Sequence, residues 1–121
     1  MVNPTPEPDL IYKIATADAV AQAQPTGRFT GMPIDHRDGY IHFSTAAQLG
    51  ETLSLHFRGQ SDLLLLAVRT AEVAQALKWE ASRGGALFPH LYAPLSLSAV
   101  AWTAPVSVAA DGSVDLPEAV R

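Results

Sequence analysis

The chain has no cysteine, which excludes disulfide bonds and thiolate metal sites and fits a reducing cytoplasm. No apolar run approaches the roughly 18 residues of a membrane span, so we expect no membrane partner. Positive charge is also scarce, because eight Lys and Arg stand against 12 Asp and Glu and give a net charge of −4. This composition argues against a broad basic surface, and we therefore expect no nucleic-acid partner.

What is present fits one small globular domain. The 121 residues are 48% hydrophobic and 17% charged, a balance typical of a folded chain rather than a disordered one. Residues 1–9 lack the pattern of a signal peptide and are expected to form a mobile N-terminal tail. We expect a single domain over residues 10–117 and a short C-terminal tail over residues 118–121.

Hydrophobic periodicity predicts strands alternating with short helices. The predicted strands cover residues 10–15, 62–68, 77–81, 86–92 and 100–106, and the predicted helices cover residues 16–24 and 46–57. The continuous apolar run at 62–68 indicates the centre of a sheet. Lys13 is typical of a rim position, and Pro89 predicts an edge or bulged strand because it removes a ladder donor. Residues 25–39 are interpreted as a long connection, either a binding loop or a solvated surface loop.

The stretch Asp38–Thr45 carries the strongest functional signal. In a strand, alternate side chains point to the same face, and one face here carries a phenol, an imidazole and a hydroxyl, those of Tyr40, His42 and Ser44. Thr45 and Gln48 match a capping box, so a helix is expected to begin directly after the strand. The free N–H groups of a helix start favour an anion. Together these features predict a small-molecule site.

Histidine is the natural candidate for proton transfer, because its unperturbed pKa of about 6.5 lies near neutrality. His42 and His90 both fall in predicted strands, and His90 shares a face with Phe88 and Tyr92. If the two polar faces open onto one cleft, the imidazoles converge there. The alternative for each ring is a structural, hydrogen-bonded histidine.

Two other kinds of chemistry, a metal centre and a serine nucleophile, have less support in the sequence. A zinc centre of His36, His42 and His90 lacks the tight spacing of a known zinc motif, so we expect no metal. Ser44 as a nucleophile with His42 as its base lacks the Gly-x-Ser-x-Gly elbow.

Four motifs, in this order, resemble the DUF952 family of small bacterial proteins. They are Ile11-Tyr12-Lys13-Ile14, Asp38–Thr45, Leu77-Lys78-Trp79-Glu80 and Phe88-Pro89-His90-Leu91-Tyr92. The resemblance implies an α+β fold similar to the ADP-ribosyltransferases, a compact single domain of two small, split antiparallel sheets with flanking short helices and NAD in the cleft between the sheets. The alternation of strands and helices alone leaves a parallel sheet as an alternative.

By position, the resemblance also implies contacts to NAD as the expected cofactor. Tyr12 and Lys13 stand on the strand that touches the nicotinamide or its ribose in ADP-ribosyltransferases. Ser44 and Thr45 resemble the strand-to-helix motif that holds the nicotinamide ribose. Lys13 or Arg28 is expected to meet the phosphate charge.

The resemblance extends to aromatic contacts and contains one departure. Tyr40 or Tyr92 is expected to stack on the nicotinamide or adenine. His90 falls where ADP-ribosyltransferases usually place a catalytic glutamate, and Glu80, one strand earlier, is the candidate substitute. The branch that comes closest is the RNA 2′-phosphotransferases, which are rich in histidine and also use NAD, although the acidic charge and small size of this chain count against a large RNA partner.

Three hypotheses follow for function. The first is an enzyme that binds NAD or another ADP-ribose-containing nucleotide and uses His42 and His90 as acid and base in a glycosyl or phospho transfer. The second is a non-catalytic module that senses a small anion or nucleotide. The third is a metal-assisted hydrolase with histidine ligands. The sequence leaves the oligomeric state open.

Overall fold

The structure, a computed structural model, describes residues 7–120, the side chain of residue 83 excepted. Residues 1–6 of the expected N-terminal tail and residue 121 of the expected C-terminal tail lie outside this range. In chain order the strands and helices are β1 (Leu10–Thr16), α1 (Ala17–Ala23), β2 (Arg28–Phe29), α2 (Pro33–Asp38), β3 (Ile41–His42), α3 (Ala46–His56), β4 (Leu63–Arg69), α4 (Thr70–Val73), β5 (Leu77–Ala81), β6 (Leu87–Leu91), β7 (Leu95–Ser96) and β8 (Val100–Val106).

The described chain is an α+β domain with three small antiparallel sheets. The strand orders are β1-β4-β8, β3-β6-β5 and β2-β7. The parallel alternative is therefore wrong. The prediction that the apolar run after Asp62 forms a sheet centre is confirmed, because β4 lies between β1 and β8. The two three-stranded sheets meet where Tyr12 and Ser44 exchange backbone hydrogen bonds of 2.9 Å in both directions.

Two hydrophobic cores lie on opposite faces of β1, since alternate side chains of a strand point to opposite sides. Ile11 and Ala15 belong to one core, and Tyr12 and Ile14 belong to the other. The second core also contains Val120, which is 7% exposed. Side-chain packing in the second core therefore reaches Val120.

The segment 25–39 contains more structure than the predicted loop. It holds β2 and the helix α2, which begins at Pro33 and is followed by Gly39 at a left-handed φ of 87°. Proline at the first helical position and glycine just past the end are typical helix boundaries. The loop interpretation is therefore corrected to a short helix with recognisable caps.

Pro89 lies in a central strand, which corrects the edge-strand prediction. β6 pairs with β3 on one side and β5 on the other. The N–H and C=O of one residue in an antiparallel strand face the same neighbour, and the carbonyl of Pro89 accepts a 3.0 Å hydrogen bond from the N–H of Phe43. The backbone nitrogen of Pro89, which carries no hydrogen, therefore also faces β3, at the point where β3 ends after His42.

No helix within residues 7–120 is long and apolar enough to cross a bilayer. The longest of these helices, α3, has 11 residues, whereas a span needs about 20.

Candidate functional site

A cavity of about 590 Å³ lies where β1, α2, β3 and β6 come together. Its lining includes six of the residues that the sequence predicted for a site, namely Tyr12, Lys13, Tyr40, His42, Ser44 and His90. A larger, more open depression of about 830 Å³ lies where β4 begins and β8 ends, and its lining contains none of the predicted site residues. The chemistry is therefore concentrated in the smaller cavity.

His42 and His90 face each other across two neighbouring strands. They are register partners in the β3–β6 pairing, and their ring centroids are 5.5 Å apart. The ring of Tyr40 stacks on His90 with a centroid distance of 4.1 Å and lies 4.6 Å from the ring of His42. Two imidazoles and a phenol thus form one wall of the cavity.

Asp35 fixes His42 from the protein interior. Its carboxylate lies 2.7 Å from Nδ1 of His42 and accepts hydrogen bonds from the backbone N–H groups of His42 and Met32, at 3.0 and 2.6 Å. Lys13 Nζ lies 3.0 Å from one carboxylate oxygen and 2.8 Å from the other. Because Asp35 is 2% exposed and Lys13 is 4% exposed, this is a buried ion pair that ties β1, α2 and β3 together.

The pKa values of this pair follow from burial and close contact. Burial acts to raise the pKa of Asp35, but the hydrogen bonds from His42, Lys13 and Met32 and the charge of Lys13 outweigh it, so the pKa lies well below its usual range. Burial lowers the pKa of Lys13, while the Asp35 carboxylate opposes that change. Asp35 is therefore an ionised carboxylate at neutral pH. Lys13 is an interior residue, which corrects the prediction of a rim position.

His42 has a second carboxylate partner. Nε2 lies 2.9 Å from Oδ2 of Asp38, the last residue of α2. Hydrogen bonding, first from Arg37, lowers the pKa of Asp38. Since a carboxylate only accepts hydrogen bonds, the neutral ring donates to one of its two partners, and the imidazolium donates to both.

Glu80 forms the corresponding pair with His90. Oε1 of Glu80 lies 2.8 Å from Nδ1 of His90 and accepts a 2.7 Å hydrogen bond from the hydroxyl of Tyr92. Hydrogen bonds from Tyr92, the larger effect, and from His90 lower the pKa of Glu80. The hydrogen bond between Tyr92 and Glu80 also raises the pKa of Tyr92 to about 12. His42 and His90 are thus both paired at Nδ1 with an ionised carboxylate.

Hydroxyl groups and a helix start lie beside the imidazoles. The predicted capping box is confirmed, because Thr45 Oγ1 accepts from the N–H of Gln48 and Gln48 Oε1 accepts from the N–H of Thr45. The buried hydroxyl of Ser44 lies 3.0 Å from that of Thr52, and both residues line the cavity. The polar lining therefore offers donors and acceptors on two sides.

Comparison with known proteins identifies the family. The model of the family described as "Protein of unknown function (DUF952)" matches residues 14–103. The chain belongs to the DUF952 family. Its resemblance to this family, carried by four sequence motifs, is thereby confirmed.

Two solved structures are similar to this DUF952 chain. A crystal structure of protein CC0527 from Caulobacter crescentus is similar to it, with 47% identity and a TM-score of 0.85 over 92% of this chain and 97% of that one. A solution NMR structure of CC0527 gives 48% identity and a TM-score of 0.76 over 87% and 90% of the two chains. No curated protein matches.

Three of the residues predicted to bind a ligand lie outside the cavity lining of the DUF952 domain. Arg28 is exposed on β2, in the two-stranded sheet. Thr45 lies at the N-cap of α3, next to the cavity residue Ser44. Tyr92 is 42% exposed and contacts the site through Glu80 and through the ring of Tyr40, 5.2 Å away.

Sequence reasoning missed Asp35 and Asp38 as parts of the site. Both lie on α2, and its signals were present in Pro33 and Gly39, which bound the helix. Had α2 been recognised, Asp35 would stand at its third position, where a carboxylate caps the preceding backbone. The contact between Asp35 and Lys13 joins residues 22 positions apart, and no local pattern predicts it.

The histidines of the DUF952 domain do not assemble as metal ligands. His36 is exposed on α2 and does not line the cavity. Among residues 7–120, no group of three or more His, Asp or Glu side chains has an arrangement that could hold a metal ion. The three-histidine hydrolase hypothesis therefore has no geometric support in the described part of the chain.

Proposed function

We propose that this DUF952 protein binds NAD or another ADP-ribose-containing nucleotide in the 590 Å³ cavity and catalyses a glycosyl or phospho transfer from it, in the cytoplasm. The observation that carries the proposal is the convergence of His42 and His90, from separate strands, on one cavity. Each ring is backed by a carboxylate, at 2.7 Å from Asp35 and 2.8 Å from Glu80. Histidines paired in this way are suited to orient hydroxyl groups and to move protons.

The split between two small sheets supports the ADP-ribosyltransferase-like part of this proposal. The cavity lies between β1 of one sheet and the β3–β6 pair of the other, beside the bridge of Tyr12 and Ser44. In the proposal, the ring of Tyr40 contacts the nicotinamide, and the hydroxyls of Ser44 and Tyr12 contact its ribose. The nucleotide phosphates lie towards the start of α3 at Thr45, where backbone N–H groups favour negative charge.

Lys13 takes a different part from the one expected for a phosphate ligand. Its ammonium group is held by both oxygens of a buried carboxylate, and removing it from Asp35 would leave an uncompensated buried charge. In the proposal Lys13 positions Asp35 and thereby His42. Arg28 takes no part, because it lies outside the cavity lining.

A titration of the purified protein with NAD and with ADP-ribose tests binding. We expect NMR shifts at Tyr40, His42 and His90 and a rise in melting temperature, because a ligand that binds only the folded state stabilises it. Absence of any response at millimolar NAD or ADP-ribose would overturn the proposal.

Release of free nicotinamide from NAD tests the reaction. His42→Ala and His90→Ala are expected to lower the rate by about 10²–10⁴-fold, the usual contribution of acid–base groups. His36→Ala is the matched control, since His36 is exposed and outside the cavity lining. An equal loss in the control would place the activity elsewhere.

A second candidate is a non-catalytic module that senses a small anion or nucleotide. It is favoured by one observation, that both ring nitrogens of His42 are already engaged by Asp35 and Asp38. NAD or ADP-ribose would then bind and stabilise the protein without any turnover. Saturable binding together with undetectable nicotinamide release would support this candidate over the enzyme.

A further inference from the structure

Two of the histidines that line the cavity, His42 and His90, are held in different ways. His42 has a carboxylate at each ring nitrogen, with Asp35 2.7 Å from Nδ1 and Asp38 2.9 Å from Nε2. His90 pairs with Glu80 through Nδ1, at 2.8 Å. Nε2 is the nitrogen that the pairing with Glu80 leaves for a ligand, and His90 lines the cavity.

The contact with Glu80 determines which nitrogen of the neutral His90 ring carries the proton. Hydrogen bonds from Tyr92 and His90 lower the pKa of Glu80, so its carboxylate is ionised and can only accept. Nδ1 of His90 therefore donates, and Nε2 of the neutral ring has an unprotonated lone pair. The ring of Tyr40, stacked at 4.1 Å with an interplanar angle of 28°, lies against one face of the imidazole and limits its rotation.

We infer that His90 is the proton acceptor of the site, acting through Nε2, and that Glu80 and Tyr92 are positioning residues that set its tautomer. A ligand hydroxyl gives its proton to Nε2 as its oxygen forms a bond to C1′ of the nicotinamide ribose of NAD. The bond between C1′ and the nicotinamide nitrogen breaks, and nicotinamide leaves as a neutral molecule with that electron pair. The resulting imidazolium donates one N–H to Glu80 and the other to the ligand, and it releases the proton to water when the product leaves. His42, with both nitrogens engaged, holds α2 against β3 and takes no proton from the ligand.

The proton transfer to His90 rests on the proposed function, whereas the assignment of the His90 tautomer does not. NMR of the ring nitrogens in labelled wild-type protein measures the tautomer directly, at a pH where the His90 ring is neutral. We expect a protonated Nδ1 and a bare Nε2. A protonated Nε2 would overturn the inference, whatever the protein does with NAD.

Two substitutions that exchange a carboxylate for an amide provide the matched comparison. Glu80→Gln should mix the two tautomers of His90, because a glutamine side chain either accepts or donates at Nδ1. Asp38→Asn changes the partner of His42 instead and should leave the His90 signals unchanged. Tyr92→Phe should shift the His90 signals less than Glu80→Gln does, because the carboxylate remains. A His90 tautomer that is insensitive to Glu80→Gln would contradict the assigned role of Glu80.

Asparagine substitutions at His90 and at the exposed His36 test the part of His90 in the reaction. Asparagine keeps a donor close to Nδ1 and has no group at Nε2, so His90→Asn is expected to lower nicotinamide release by about 10²–10⁴-fold while NAD still binds. His36→Asn, at an exposed position outside the cavity lining, should keep the turnover of the wild type at saturating NAD. Equal losses of turnover in these two variants would contradict the role assigned to His90. If NAD does not bind at all, the proposed function fails, and the tautomer measurement still decides the position of the His90 proton.

Discussion

Replacing Asp35 by asparagine keeps the size of the side chain and removes its charge, which leaves Lys13 as a buried cation without a counter-ion. The two side chains are 1% and 5% exposed, so water cannot replace the lost partner. Removing one member of a buried ion pair typically costs about 3–5 kcal/mol. We expect Asp35→Asn to lose free energy of unfolding in this range.

Urea denaturation followed by circular dichroism measures this loss. A slope of roughly 2 kcal/mol per molar urea, typical of a small domain, converts it to a fall in the transition midpoint of roughly 1.5–2.5 M. Asp38→Asn is the matched control. Its carboxylate also contacts His42 but belongs to an exposed residue, so the midpoint should stay close to that of the wild type.

A double variant identifies the cause of the loss. If the unpaired charge of Lys13 is responsible, Lys13→Met combined with Asp35→Asn should be more stable than Asp35→Asn alone, because the second change removes the buried cation. A midpoint for Asp35→Asn within about 0.3 M of the wild type, which corresponds to less than 1 kcal/mol, would refute the reasoning. So would a double variant less stable than either single one.

Four further predictions follow from the same structure. The folded pKa of Asp35 is lowered below an unfolded value of about 3.9. The contribution of its ionised carboxylate to the free energy of unfolding is therefore full above about pH 4 and is lost as the pH falls further. The urea midpoints of the wild type and Asp35→Asn should accordingly converge below pH 4. The pKa of Tyr92, raised to about 12 by Glu80, should fall towards its ordinary value in Glu80→Gln, and tyrosinate absorbance during an alkaline titration should show one tyrosine ionising earlier. Gly31→Ala should cost roughly 1–3 kcal/mol, because its φ is +119° and the new Cβ would lie 2.8 Å from Cβ of Asp35. Gly50→Ala should stabilise α3 by up to about 1 kcal/mol, because its new Cβ meets nothing within 4 Å, and equal effects at the two glycines would contradict both estimates.

Local sequence patterns predicted the elements whose side chains share one environment or bond to residues close by in the sequence. The central strand β4 is apolar along its length, and its position in the sheet was predicted for that reason. The start of α3 was predicted from Thr45 and Gln48, whose reciprocal hydrogen bonds are local in sequence. The motif around His42 likewise indicated which side chains share a face.

Residues that depend on distant partners were predicted incorrectly or missed. Lys13 was expected at the rim because a charge is costly in a core, and only the fold brings Asp35 near enough to compensate it. Pro89 was expected at an edge, and the reason it is tolerated centrally is that β3 ends opposite it. These outcomes depend on strand lengths and on chain crossings, which periodicity does not encode.

The walls of the cavity come from β1, α2, β3, α3 and β6, which are brought together when the two larger sheets dock along the Tyr12–Ser44 bridge. Opening that junction would disperse the pocket into separate pieces of chain, so occupancy and global folding are thermodynamically linked. Any compound that binds in the cavity should therefore raise the unfolding temperature of the whole domain. At a free concentration of about 100 times its dissociation constant, such a compound adds about 2.7 kcal/mol to the free energy of unfolding. Melting curves recorded across a panel of metabolites thus offer a route to the natural ligand that requires no prior choice of reaction.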